Sequence, residues 1–174
     1  MPQRPLPDII AGLNPGQRLL GLDIGSKTIG LALSDPGLIV ASPIDTIRRT
    51  RLNDDLVALG RVMRERDVGA LVLGLPVNMD GSEGPRAQST RQFARSLLER
   101  FALLELSDEP ALTFWDERLS TAAVTRFMIE ADMSRKRRAQ VVDKAAAAYI
   151  LQGALDAPRR LPVAVAEPHA PPED

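Results

Sequence analysis

Residues 18–35, RLLGLDIGSKTIGLALSD, restrict the fold of this chain more than any other stretch. Two short apolar runs are joined by Gly25-Ser26-Lys27, the pattern of two strands with a tight Gly/Ser connection. A link of three residues is too short for a parallel crossover, so these strands must run antiparallel. Asp23 stands in the first run, where a buried strand would ordinarily carry Val or Ile. An ionised carboxylate taken out of water needs a partner, a proton or a metal ion. The alternative is an Asp at a strand end that closes a turn with Gly25.

The remaining chain reads as one α/β domain. Leu38-Ile39-Val40 and Ile44-Asp45-Thr46-Ile47 suggest a third strand interrupted by Pro43. A helix is expected from Leu52 to Arg66, with Leu56, Leu59, Val62 and Met63 on one stripe. Gly69–Gly74 is a wholly apolar run, as expected of a strand covered on both faces. The Gly/Pro-rich loop LPVNMDGSEGP follows, then a helix from Pro85 to about Phe101. Its buried stripe is Ala94, Leu97, Leu98 and Phe101. Leu112–Asp116 reads as a strand, and Ser120 as the cap of a helix through Ala131 that buries Val124, Phe127 and Met128. An Ala-rich helix is expected from about Ala139 to Asp156. A hairpin-led sheet followed by strand–helix alternation gives a mixed rather than a purely parallel sheet. Residues 1–17, rich in Pro and Gly, read as an N-terminal extension, and 157–174 as a disordered Pro-rich tail around a domain at 18–156.

Composition excludes several chemistries. The chain has 174 residues and no cysteine, so disulfides, thiolate catalysis and Cys-based zinc sites are absent. Its one histidine, His169, lies in the tail, so a Ser-His-Asp triad or a His-ligated zinc has no ordered member to use. No apolar run is long enough for a transmembrane helix and no signal peptide is evident, so a cytoplasmic location away from membranes is expected. A formal net charge of −1 gives no bulk attraction to nucleic acid. The basic residues are nevertheless clustered, in Arg135-Lys136-Arg137-Arg138 and in Arg48, Arg49 and Arg51. The commoner meaning of such a run is a solvated face.

Carboxylates, lysine, hydroxyls and a hard cation are the remaining tools. Three acids stand out by context: Asp23 in the first strand, Glu117 directly after LTFWD, and Asp143 at the start of the last helix among Val141, Val142 and Ala145. Glu117 and Asp143 could equally serve helix N-termini. Magnesium binds through carboxylates plus substrate phosphates, and two such ions can clamp both oxygens of a phosphoryl displacement. In the loop, Gly81 and Gly84 precede a helix N-terminus, where free N–H groups favour an anion. Arg86, in that first helical turn, opposes the helix dipole unless an anion accompanies it. Lys27 reads more simply as a solvated turn residue.

With these residues in view, the chain resembles the YqgF family, the RuvC-like resolvases also described as nucleases of the small-subunit ribosomal RNA precursor. The resemblance spans about residues 18–156 and rests on GLDIGSKTIGLALSD, GLPVNMDGSEGPRAQ, DERLST and VDKAAAAYIL in this order. It implies an RNase H-like fold, a mixed central sheet with an antiparallel opening meander flanked by helices. It also implies a nuclease dependent on Mg²⁺ or Mn²⁺. Asp23, Glu117 and Asp143 match the family's acids and are implied as catalytic metal ligands. Asn78, Arg86 and Arg118 match other motif positions and are implied on the substrate side. Lys27 and the Arg135, Lys136, Arg137 and Arg138 run are further candidates for contact with nucleic acid. RuvC-type resolvases carry two acids near the last helix, whereas here there is Asp143 alone, which leaves one or two metal ions open.

The expected activity is hydrolysis of phosphodiester bonds in structured nucleic acid, in 5′-end processing of precursor 16S rRNA. Two alternatives stand beside it: a Holliday junction resolvase acting on branched DNA, and a non-catalytic RNA-binding assembly or transcription factor. The DIGSKTIG hairpin also resembles the phosphate-binding hairpin of actin-like ATPases, but those close two lobes around a nucleotide and this core has one-domain size. A monomer and a homodimer are equally compatible with the sequence.

Overall fold

The computed structural model describes residues 4–119 and 135–157, the side chains of Leu119 and of residues 135–144 excepted. The expected helix at 120–131 and the tail with His169 lie outside these residues. Five strands form one sheet in the order β3-β2-β1-β4-β5. The strands are β1 (Arg18–Ile24), β2 (Thr28–Ser34), β3 (Ala41–Arg48), β4 (Val68–Leu75) and β5 (Ala111–Asp116). β1, β2 and β3 pair antiparallel, and β4 and β5 then add in parallel to β1. This mixed order with an antiparallel opening meander is the RNase H-like arrangement expected from the sequence.

Among the described residues four α-helices accompany the sheet: α1 (Leu6–Ala11), α2 (Leu52–Glu65), α3 (Pro85–Glu99) and α4 (Arg135–Asp156). Side chains alternate across a strand, and the two faces bury different cores. Leu20, Leu22, Leu31, Leu71 and Leu73 meet Leu56, Leu59, Met63, Phe93 and Leu97 of α2 and α3. On the other face Leu19, Ala32, Ala70 and Val72 meet Ala147, Ile150, Leu151 and Ala154 of α4. Gly21 is the close-approach point, for a Cβ there would stand 2.8 Å from Leu151 Cβ. The absence of that atom lets α4 lie directly on β1.

Several elements differ from the sequence reading. Leu38–Val40 do not join the third strand; they form the turn before it, where Asp35 Oδ1 accepts the N–H groups of Ile39 and Val40 at 2.6 and 2.9 Å. Pro43 lies inside β3 rather than interrupting it. β3 is an edge strand with a register shift opposite Leu31/Ala32, the setting in which a missing N–H is tolerated. α3 stops at Glu99, and Phe101–Leu104 form a separate 3-10 turn. α4 already includes Arg135, so the basic run lies on this helix, upstream of the start expected near Ala139. The N-terminal stretch contains α1, whose Ile9 is 2% exposed in the α4-side core. It is therefore packed, not merely appended. Among the described residues, no helix is long and apolar enough to cross a membrane.

Candidate functional site

The parallel strands β1, β4 and β5 end along one edge of the sheet, and the candidate residues gather there. Asp23 is the penultimate residue of β1 and is registered with Gly30 of β2. Leu22 pairs with Leu73 on the other side, so the next residue of β4, Gly74, flanks Asp23. Gly74 in turn is registered with Trp115 of β5, two residues before Glu117. Side chains at positions 19, 21 and 23 share a face, the one covered by α4. Asp23 therefore faces the α4 side of the sheet. It lies within the strand, and just beyond it the N–H of Gly25 donates to the carbonyl of Thr28 at 2.8 Å to close the turn.

Glu117 opens a short 3-10 turn after β5. Its carboxylate lies over Gly74, where an added Cβ would stand 2.6 Å from Oε1. Burial comes first among the influences on this group, and the negative charge of Asp23 second. Asp116 adds a smaller push in the same direction and Arg86 opposes it, leaving the carboxyl pushed up to about 7. Two carboxylates that resist ionising together in a half-buried place form an acceptor set of hard oxygens. A divalent cation there relieves their mutual repulsion. The residues present therefore fit a hard divalent cation. Asp143 lies on α4 one turn before Ala147, whose carbonyl packs at Gly21. Its side chain is outside the described residues, and among those no cluster of three or more acids or histidines forms.

The substrate-side candidates are distributed around the same edge. Lys27 is exposed on the β1–β2 turn, Asn78 on the β4–α3 connection, and Arg86 in the first turn of α3. Arg118 is already engaged. Its Nε and Nη2 donate to Asp116 at 2.5–3.0 Å, and its Nη1 approaches the carbonyl of Met79 at 3.5 Å. That bond to Arg118 holds the Asp116 carboxyl below the usual carboxylate range. Arg135, Lys136, Arg137 and Arg138 lie on α4, and their side chains are outside the described residues.

Two residues that position the site escaped the sequence reading. Gly74 looked like one apolar residue in a run, although a glycine inside a strand signals close approach of another group. Arg49 belonged to a basic run with a solvated face as its simplest meaning. In the structure its guanidinium donates to the carbonyl of Gly25 at 2.8 Å and pairs with the buried Asp55 at 3.6 Å. It also lies 5.6 Å from the ring centre of Phe93 on α3. Arg49 thus ties the turn after Asp23 to both helices of that face. Only the spacing of Arg49, Asp55 and Phe93 on three elements reveals this, and spacing across elements cannot be read along a linear chain.

Comparison with known proteins adds a lineage to this geometry. A family model described as "RuvX: Holliday junction resolvase" matches residues 17–157. A protein of Rhodospirillum centenum named "Putative pre-16S rRNA nuclease" is 64% identical over 153 residues, covering 88% of this chain and 80% of that one. One of the same name from Paramagnetospirillum magneticum is 60% identical over 149 residues, covering 86% and 92%. Among solved structures, Thermus thermophilus RuvC in complex with Holliday junction substrate aligns at 13% identity over 83% of this chain and 96% of that one, with a TM-score of 0.49.

Proposed function

The chain belongs to the RuvX family, and from that premise we propose that it is a nuclease that trims precursor 16S rRNA. The reaction is hydrolysis of a phosphodiester bond assisted by Mg²⁺ or Mn²⁺, with Asp23, Glu117 and Asp143 as the cation's ligands. The observation that carries this reading is the carboxylate pair: Glu117 is pushed up to about 7 by burial and by Asp23, at the edge where three parallel strands end. Such a pair is costly for a fold to keep unless a cation is part of its working state.

Each side chain has a separable task. Asp23 and Glu117 bind and orient the cation, which supplies electrostatic stabilisation of the charge building on the phosphoryl oxygens. Gly74 leaves room for the Glu117 carboxylate. Arg86 lowers the charging cost of Glu117 and stands at the start of α3, where backbone N–H groups also favour a phosphate. Lys27, Asn78 and the basic run on α4 extend the contact to backbone phosphates, so binding weakens steeply with salt. Arg118, bound to Asp116, holds the edge of the site together as well as facing solvent.

The relatives' name favours ribosomal RNA, and the family description favours a DNA junction. A panel decides between them: a precursor 16S rRNA 5′ segment, a four-way DNA junction and a single strand, each with Mg²⁺ or Mn²⁺. Cleavage of the RNA in preference, abolished by chelation, is the expected result. Preferred cleavage of the junction would replace this reading with the resolvase. Tight RNA binding without turnover under every condition would replace it with the assembly factor.

A further inference from the structure

Met79 is 89% exposed, the most exposed large apolar side chain among the described residues. It stands at the tip of the β4–α3 loop, in a turn whose polar groups are consumed in holding it. The N–H of Gly81 donates to the carbonyl of Asn78 at 2.9 Å, with Gly81 at φ +87° where only glycine is unstrained. The N–H of Asn78 donates to the carbonyl of Ser82 at 2.9 Å, and its side-chain amide to Ser82 Oγ at 3.0 Å. Ser82 in turn donates from N–H and hydroxyl to Asp80 Oδ1 at 2.9 and 2.6 Å.

Both sides of the loop are also fastened to β5, the strand that leads into Glu117. Arg118 bridges the carbonyl of Met79 and the carboxylate of Asp116. Glu83 accepts two bonds from Arg91 at 2.5 and 2.6 Å, and that guanidinium lies 4.8 Å from the ring centre of Phe114. A single exposed apolar side chain is ordinary on a protein surface. This one differs because a hydrogen-bonded turn presents it, and because Arg118, the residue after Glu117, reaches its carbonyl at 3.5 Å. A tip built to touch phosphate would carry Lys or Arg. A thioether offers nothing to a phosphate, but it is polarisable and packs well against flat π faces.

We propose that Met79 is a base-contacting wedge, packing against the face of an unstacked nucleobase next to the phosphate that is cut. Apolar side chains of this kind separate base steps in nucleic-acid complexes. The inference rests on the nuclease reading and deepens it. The preferred substrate has a base free to leave its stack, at a boundary between paired and unpaired strands, and the wedge sets where along that boundary cleavage falls.

The test uses RNA hairpins carrying 2-aminopurine at the paired/unpaired boundary, bound without divalent metal so that no cleavage intervenes. Wild type, Met79→Ala and Met79→Leu are compared, with a continuous duplex as control. Wild type is expected to raise the 2-aminopurine fluorescence by unstacking the probe. Met79→Ala loses that rise and binds the hairpin roughly three- to tenfold more weakly, around the low end of the range for stacking on an aromatic side chain. Met79→Leu keeps most of the rise, and neither variant alters binding to the duplex. Melting temperatures stay unchanged because the side chain is exposed. Absence of a wild-type rise on every probe, or an equal loss of duplex binding by Met79→Ala, would overturn the wedge. The signal needs no turnover, so failure of the nuclease reading shows up separately, as absence of cleavage when metal is restored.

Discussion

At the residue scale the site is a problem of space and charge around two carboxylates. Gly74 supplies the space. In Gly74→Ala the new methyl meets Glu117 Oε1 and the tip of Ile150, both flexible ends that can swing aside. The expected stability loss is only about 1 kcal/mol, while displacement of Glu117 lowers the cleavage rate about a hundredfold. Melting and single-turnover cleavage on the same preparation separate the two effects. Charge supplies a second test. The carboxyl of Glu117 is raised from its ordinary 4.5 to about 7, so between these values the folded chain binds more protons than the unfolded one. Without metal, this group's contribution to stability is therefore greatest in acid and is lost as pH rises through that window. The metal-free melting temperature is expected to fall by a few degrees from pH 5 to pH 7.5 on this account. Mg²⁺ restores more at pH 7.5 than at pH 5, and Glu117→Gln flattens the difference. Differential scanning fluorimetry at the two pH values, with and without Mg²⁺, measures it.

At the element scale the question is what keeps the β1–β2 turn in place behind Asp23. The hairpin itself is legible in the sequence, because two short apolar runs joined by Gly25-Ser26-Lys27 leave few other options. Helices α2 and α3 are legible for the same reason, through their apolar stripes. The continuity of the third strand is not, because Pro43 reads as a strand breaker and only an edge position with a register shift accommodates it. Nor is the anchor of the turn. Arg49 directly follows β3, yet its partners are Gly25, the buried Asp55 and Phe93. Arg49→Ala leaves Asp55 buried with a weakened partner set, keeping the N–H of Thr50 at 3.0 Å. The expected cost is about 2 kcal/mol, and a loosened turn lowers affinity for Mn²⁺. Arg49→Lys is expected to recover part of the stability but not the bond to Gly25, since a lysine lacks the guanidinium fork. Urea unfolding and calorimetric Mn²⁺ titration of both variants test this.

At the scale of the whole molecule, one sheet separates two cores, and the candidate site lies on the α4 side, where Ile150 of α4 and Glu117 meet at Gly74. Contacts of this range are what the sequence could suggest only through a family pattern. Asp23 and Glu117 are 94 positions apart, and their mutual influence arises only because β4 stands between their strands. The N-terminal stretch shows the reverse case. Its Pro and Gly content pointed to an extension, but Leu6, Ile9 and Ile10 on α1 supply part of the α4-side core. Ile9→Ala is expected to cost about 2–3 kcal/mol and to lower the melting temperature, with the cleavage rate of the folded chain unchanged. The most direct measurement of the central claim is Mn²⁺-dependent cleavage of the precursor 16S rRNA 5′ segment by wild type and Asp23→Asn under single-turnover conditions. If the carboxylate pair holds the cation that cuts, the variant folds normally and cleaves at least about a hundredfold more slowly. Cleavage by Asp23→Asn at the wild-type rate and with the same metal dependence would contradict the account.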